Sequence, residues 1–317
     1  MVHLLSRRHV AAVGAVLALA GCSASGSDGA VGWTEPLVEA TPAMLKTAGA
    51  SFPLDAYEAT PEQQDTLTRA QGVLTSRCMA RLGFTYQAPE QPVPSASESN
   101  ARVFGLVDSD IAAQYGYLNP GMANAMQKAP AGKTLTEAEQ LALTGKEDLD
   151  PADLPSNLQE AEKSGGSDLQ FNGERVPVGG CVRESFLKLY ARKANEVDIL
   201  FVFNLKNEAQ SRAREDSRVR AVDKRWSQCM AKAGYTVSDP MKAAKQLGLT
   251  GTELSSPRAV TAAKADVRCK QQVNLVGVRF AVTTAYQQQL IEQQAETLAL
   301  VKEQLRSRLL LAASLTN

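Results

Sequence analysis

Two long stretches without helix-breaking residues constrain the fold of this chain most strongly. Residues 181–233 contain neither Pro nor Gly, and residues 258–315 contain only Gly277. In the first stretch, apolar or small side chains recur at intervals of three and four residues, at Val219, Val222, Trp226, Cys229 and Ala233. This spacing predicts a long amphipathic helix. Uninterrupted helices would be about 80 Å and about 85 Å long, although a break near Asn204 stays open.

The second stretch carries its own apolar stripe, and a short connection joins it to the first. The stripe consists of Val278, Val282, Tyr286, Leu290, Leu298, Val301, Leu305, Leu309 and Ala312. Two amphipathic helices joined in this way pack antiparallel. We therefore predict an all-α fold, with an elongated antiparallel helical hairpin over residues 181–317 and a smaller irregular helical cap over residues 58–180.

Two further patterns refine this prediction. The apolar run at residues 199–203 favours either a buried strand or a helix covered by the cap, and we expect the helix. In the cap, Thr60 followed by Pro61 predicts a helix that reaches Leu82, and shorter helices are expected at 108–115 and 136–143.

Four cysteines follow the N-terminal region, at positions 78, 181, 229 and 269. Their even number predicts two disulfides, and four cysteines allow three connectivities. No two of them have the C-x-x-C spacing of a zinc knuckle or a redox motif, so we predict no metal site and no cofactor.

An internal repeat bears on the connectivity. Cys78-Met79-Ala80-Arg81-Leu82-Gly83-Phe84-Thr85 is echoed by Cys229-Met230-Ala231-Lys232-Ala233-Gly234-Tyr235-Thr236. Both segments are typical of a helix that ends with a left-handed glycine, followed by an aromatic residue that covers the methionine. If each helix end pairs with the next cysteine along the chain, the bonds are Cys78–Cys181 and Cys229–Cys269.

The N-terminus has the pattern of an export signal. Arg7 and Arg8 precede an apolar run at residues 11–20, which is too short to span a bilayer. Leu19-Ala20-Gly21-Cys22 resembles the bacterial lipobox, which implies that residues 1–21 are a signal peptide and that Cys22 carries acyl chains such as palmitate. Ser6-Arg7-Arg8 also resembles a twin-arginine signal, so the export route stays open.

This resemblance implies a location and a tether. The mature chain would be anchored by lipid to the extracytoplasmic face of the cell membrane, because several acyl chains on Cys22 hold it there stably. Residues 22–57 are rich in small residues, Gly and Pro, and predict a flexible tether.

The wider pattern is similar to that of uncharacterised secreted lipoproteins of actinobacteria. The resemblance rests on the lipobox, on Trp226–Tyr235 with its Cys-Met-x-x-x-Gly-aromatic end, and on the segment 265–270. It supports the cysteine pairing given above and implies no activity.

Composition excludes several kinds of chemistry. The 34 basic and 34 acidic residues balance, which argues against a general polyanion binder and against a nucleic-acid partner. His3 and His9 are the only histidines, and both lie in the predicted signal peptide. The mature chain therefore lacks the histidine of a Ser-His-Asp or Cys-His site. We predict that the protein is not an enzyme.

A few further patterns resemble functional sites, but each has a structural interpretation. Ser185-Phe186-Leu187-Lys188 matches S-x-x-K, but the other elements of penicillin-binding enzymes are missing. Gly165-Gly166 predicts a turn. The remaining candidates are the acids Glu147, Asp148, Asp150 and Asp153, predicted as turn and capping residues, and the arginines Arg212, Arg214, Arg218, Arg220 and Arg225, predicted as an ion-paired helix face.

Three functional hypotheses follow. The first is a non-enzymatic interaction or scaffold protein of the cell envelope, anchored through Cys22 and bound to an envelope protein. The second is a lipoprotein that binds a small molecule or wall fragment, with a pocket in the cap near Phe104, Tyr115 and Tyr117. The third is an envelope hydrolase that uses two carboxylates, although no pair stands out.

Overall fold

The computed structural model describes residues 34–47, 49–89, 100, 103–121 and 134–316. The chain divides into two units, Met1–Glu35 and Pro36–Asn317, and nearly all described residues belong to the second. The predicted signal peptide and Cys22 lie outside the described residues. The segments predicted as cap and hairpin lie within the second unit.

Helices make up most of the described structure. Those with both ends in the described residues are α1 Pro61–Arg81, α2 Ser109–Tyr115, α3 Glu137–Thr144, α4 Leu158–Ser164, α5 Gly180–Tyr190, α6 Phe201–Glu215, α7 Ser217–Lys232, α8 Ala243–Gln246, α9 Pro257–Gln272, α10 Leu275–Gln293 and α11 Ala295–Thr316. Short 3₁₀ helices lie at Pro53–Tyr57, Pro151–Asp153 and Gly251–Ser255. The strands β1 Gln170–Phe171 and β2 Glu174–Arg175 form a small antiparallel hairpin. The prediction of an all-α fold is confirmed.

Helix starts in the cap follow their capping residues. Thr60 accepts a hydrogen bond from the backbone N–H of Gln63, whose side chain accepts one from Thr60 in return, and Pro61 occupies the first helical position. Asp108 caps α2 by accepting from the N–H groups of Asp110 and Ile111, and Thr136 forms a capping box with Glu139 at the start of α3. The predicted helices of the cap are therefore confirmed within a residue or two at their ends.

The prediction of two uninterrupted helices is wrong. The first stretch is broken at residues 191–200 and again at Asp216, which has an extended backbone and caps α7 by accepting from the N–H of Arg218 at 2.9 Å. The second is broken at Asn274, whose φ of 52° is left-handed, and at Gln294. Asp216 caps because its short side chain bonds to nearby backbone groups. Asn274 tolerates the left-handed conformation, and its side chain bonds instead to the backbone of Pro42 and Met44.

The antiparallel pairing of the two stretches is present between the shorter helices. α10 packs against α6 and α7, and α9 packs against α7. Arg279 on α10 forms an ion pair with Asp223 on α7, at 2.6 Å. α11 packs mainly on α1, so the cap helix occupies a large part of the predicted hairpin surface.

Both repeated helix ends have the predicted geometry. Gly83 and Gly234 have φ values of 88° and 87°. Phe84 donates its N–H to the Met79 carbonyl, and Tyr235 donates to Met230, each at 2.9 Å. These bonds define Schellman ends and confirm the structural interpretation of the repeat.

The disulfide connectivity is also confirmed. Cys78 bonds to Cys181 and joins α1 to α5, while Cys229 bonds to Cys269 and joins α7 to α9. The Cα atoms of each pair are 5.6 Å apart, an ordinary separation for a disulfide.

Part of the predicted flexible tether is folded. Phe52 and Leu54 are buried, and the Leu54 N–H donates to the side chain of Gln287 on α10 at 2.9 Å. A Cβ atom at position 277 would lie 1.8 Å from the Pro42 carbonyl oxygen. Only glycine at this position therefore allows the segment that contains Pro42 to pass so close to α10. The prediction of a tether that extends to residue 57 is therefore wrong for the segment at Phe52–Leu54, because its apolar side chains complete the core.

The prediction that the cap covers the apolar run at residues 199–203 is also wrong for part of the run. The run becomes helical at Phe201, and Val202 is buried with Leu205. Ile199, Leu200 and Phe203 remain 42%, 54% and 53% exposed. The cap leaves these three side chains uncovered, since its helix α1 packs instead on α11 and α5.

Within the described part of the chain, none of the helices combines the length and the apolar character that a bilayer span requires.

Candidate interaction surfaces and clefts

The S-x-x-K residues do not form a nucleophile and base pair. The Ser185 hydroxyl is buried and donates to the Val182 carbonyl, and it lies 2.9 Å from the Thr75 hydroxyl. Lys188 instead forms an ion pair with Glu184 on the same helix. The structural interpretation of this motif is consistent with these contacts.

The acidic residues near position 150 and the Gly165-Gly166 pair also have structural roles or lie exposed at the surface. Asp150 caps a 3₁₀ turn by accepting from the Ala152 N–H at 2.9 Å, and Glu147 and Asp148 are exposed. Gly165 and Gly166 both have positive φ values in a turn. No group of three or more potential metal ligands occurs among the described residues.

The arginines of the first stretch separate into two groups. Arg212, Arg218 and Arg220 form ion pairs with Glu208, Asp216 and Glu215 respectively. Arg225 points instead into a cleft above the Cys229–Cys269 disulfide. The predicted ion-paired face is therefore present for three of the five arginines.

The aromatic residues proposed to line a cap pocket belong largely to the core. Phe104 is fully buried and stacks on Phe52, with ring centroids 6.1 Å apart. Tyr117 packs against the cluster that contains Trp226. These two rings thus stabilise the interior.

A buried polar cluster, not predicted from the sequence, lies where α7, α9 and the chain before α2 meet. The Asp266 carboxylate accepts from the Trp226 indole at 2.9 Å and from the Lys270 ammonium at 3.2 Å. Lys270 also donates to the Leu106 carbonyl at 2.9 Å, and both charged side chains are only 1% exposed. The i, i+4 spacing of an acid and a lysine was the only sequence signal of this pair.

Burial determines the direction of the pKa shifts in this cluster. It raises the pKa of Asp266 and lowers that of Lys270, and their mutual attraction opposes both shifts. Burial and the neighbouring Asp266 carboxylate raise the pKa of Tyr117 above its usual range. The cluster opens into none of the clefts described below, so we assign it to stability.

An open cleft of about 590 Å³ lies beside α4, α5 and the β-hairpin. Its wall contains Glu184, which pairs with Arg81 at 2.6 Å and with Lys188. Burial would raise the pKa of Glu184, but the hydrogen bonds from Arg81 and Lys188 outweigh it and leave the pKa below its ordinary value. A general acid needs the opposite shift.

Ile199, Leu200 and Phe203 are large apolar side chains exposed within five positions of the sequence, and we call them the apolar surface. Ile199 and Leu200 lie in the turn before α6, and Phe203 lies in the first turn of this helix. The residues just before the apolar surface in sequence carry both signs of charge, at Arg192, Lys193, Glu196 and Asp198. Apolar patches with polar rims are typical of interaction sites.

A second cleft, of about 300 Å³, lies above the Cys229–Cys269 disulfide, and we call it the basic cleft. Its charged lining residues are Arg225, Lys232 and Arg268. Lys232 and Arg268 were not singled out from the sequence, although each lies within three residues of a paired cysteine.

Comparison with known proteins gives no assignment. No protein-family model matches the sequence, and no curated protein or solved structure shows significant similarity to it.

Proposed function

We propose that this is a non-enzymatic interaction protein of the cell envelope, anchored by lipid at Cys22 and bound to a protein partner through the apolar surface. The observation that carries the proposal is the exposure of Ile199, Leu200 and Phe203, three large apolar side chains within five positions of the sequence. Large exposed side chains of this kind lose contact with water when a partner covers them.

The extracytoplasmic location is supported by two independent features. Two disulfides join helices of the folded body, and such bonds persist in oxidising compartments outside the cytoplasm. The lipobox-like Leu19–Cys22 supplies the anchor, although it lies outside the described residues.

A protein partner fits the apolar surface better than a bilayer does. The segment before the apolar side chains carries two basic and two acidic residues, so it has no net positive charge that would attract anionic lipid headgroups. A protein partner can instead pair with both signs of charge, as polar rims commonly do around an apolar centre.

Site-specific photocrosslinking in intact cells tests the proposal. A photoreactive residue at Phe203 should capture one recurrent envelope protein, and the same residue at Leu310, an exposed leucine on α11, should not. A Cys22→Ala chain should lose the capture because it is released from the membrane. Equal capture of unrelated neighbours from both positions would contradict the proposal.

A second function is favoured by one observation. The cleft of about 590 Å³ beside α5 is large enough for a small molecule or wall fragment, and its lining carries both signs of charge. Saturable binding of a soluble wall fragment, abolished by Lys188→Met, would support this alternative. A carboxylate-dependent hydrolase has less support, because Glu184 has a lowered pKa.

A further inference from the structure

The structure assigns the basic cleft as a binding site for a phosphate group. The cleft lies between α7 and α9, and none of its lining residues belongs to the apolar surface. Binding of an anion in this cleft would not depend on the lipid anchor. Three cations line the cleft, no acidic residue lines it among the described residues, and a disulfide fixes its two helices.

Helical spacing places the lining of the cleft on two facing stripes. Arg225, Gln228 and Lys232 share one face of α7 at intervals of three and four residues, with Cys229 between them. Arg268 and Gln272 share one face of α9 and flank Cys269. The three cationic side chains therefore converge from two helices on one volume of about 300 Å³.

The disulfide makes this convergence permanent. Cys229 and Cys269 hold the two helix backbones 5.6 Å apart between Cα atoms, and the Cys229 sulfur lies 3.5 Å from the Gln272 side-chain oxygen. The bond therefore fixes the separation of the two helix segments that carry the cations.

The charges of the basic cleft are not neutralised by the protein. Among the described residues, no carboxylate lines the cleft, and Arg225, Lys232 and Arg268 form no ion pair. Arg212, Arg218 and Arg279, by contrast, each pair with an acid. In a chain with zero formal net charge, this cleft is a local concentration of positive potential that attracts an anion.

Phosphate fits this set of donors best. Two guanidinium groups present parallel N–H donors that match phosphate oxygens, and an ammonium adds a compact third charge. The amides of Gln228 and Gln272 supply neutral donors at the edge. Either a free phosphate ester or the headgroup of an anionic phospholipid carries this chemistry.

Binding measurements on the folded chain with its disulfides intact test the assignment. Isothermal titration with inorganic phosphate and with glycerol phosphate should show saturable binding, weakened about tenfold or more by Arg225→Gln with Arg268→Gln. The matched control, Arg214→Gln with Arg220→Gln, removes two charges from the neighbouring helix region and should leave the affinity within about twofold.

Cosedimentation with vesicles distinguishes the two sources of phosphate. Capture by phosphatidylglycerol vesicles, absent with phosphatidylcholine vesicles and lost in the Arg225→Gln, Arg268→Gln variant, would identify a lipid headgroup. Binding of the soluble phosphates without vesicle capture would identify a free phosphate ester. Absence of binding to every probe, or equal weakening by the control variant, would overturn the assignment.

Discussion

Trp226 and Asp266, which are 40 residues apart in sequence, meet in the core through a hydrogen bond of 2.9 Å from the indole nitrogen to the carboxylate. The same carboxylate holds the ammonium of Lys270. This arrangement places one acid, one base and one aromatic donor between α7 and α9, within four positions of the cysteines whose disulfide joins these helices. The buried pair is therefore a sensitive point for the stability of the fold.

Lys270→Met should destabilise the protein by about 3–5 kcal/mol, because it leaves the Asp266 carboxylate buried without its cation. Lys242→Met is the control, since Lys242 is 67% exposed and pairs with Asp239 at the surface. We expect the control to change the free energy of unfolding by less than about 1 kcal/mol. Urea denaturation followed by circular dichroism measures both, and similar losses would contradict the assigned role of the buried pair.

Removing either disulfide should lower stability according to loop length. Cys78 and Cys181 are separated by 103 positions, and Cys229 and Cys269 by 40. The loop-entropy relation gives about 4.7 and about 3.9 kcal/mol respectively. The double Cys→Ser variants, compared in urea denaturation, should therefore both be much less stable, with the Cys78–Cys181 variant more affected. A reversed order would show that native-state effects outweigh chain entropy.

The repeated helix ends provide a matched pair of glycine substitutions. Gly234→Ala should cost about 1–2 kcal/mol, because alanine is strained at a positive φ and no neighbouring atom lies within 4 Å of its Cβ. Gly83→Ala has the same strain and also brings its Cβ to 3.3 Å from Asn172. We expect a larger loss of unfolding free energy for Gly83→Ala in thermal or urea denaturation, and an equal loss would refute the contact.

Acid should remove the contribution of Glu184. Its pKa in the folded protein lies below the ordinary value of 4.5, so the ion pairs stabilise the fold above that pH. The stabilisation is lost as the pH falls through the lowered folded pKa. Glu184→Gln should therefore cost about 1 kcal/mol near pH 7, and the cost should shrink below about pH 4.

Urea denaturation over a pH series measures this dependence. Glu162→Gln, an exposed glutamate that lines the same cleft, is the control and should change stability by less than about 0.5 kcal/mol. A difference between Glu184→Gln and the parent chain that stays constant from pH 7 to pH 3 would contradict the assigned role of Glu184.

Local structure was largely predictable because its causes are local. The capping residues Thr60 and Asp108 and the glycines at 83 and 234 act through neighbours within a few positions, so their patterns predicted helix starts and ends correctly. The breaks at Asp216 and Asn274 were missed, because Asp and Asn also occur inside helices. Whether either residue caps a helix depends on the surrounding packing.

The candidate sites depended on contacts between distant segments. In the sequence, Arg225 is one member of a run of arginines. Only the tertiary structure shows that it lines a cleft together with Arg268 from another helix, while other arginines of the run form ion pairs. The exposure of Phe203 was also not predictable, because an apolar run in sequence does not reveal which of its residues a later segment will cover.

The sequence by itself determined the all-α class and the helix ends marked by Thr60, Gly83 and Gly234, since short-range sterics and hydrogen bonds control these features. The repeated cysteine motif predicted the disulfide pairing among three possible connectivities. Only the tertiary structure decided that Asp266 and Lys270 are buried, that Phe52 and Leu54 join the core, and that Ile199, Leu200 and Phe203 stay exposed. Burial depends on which surfaces meet. That choice is made by the summed packing of the whole chain, and no local pattern contains it.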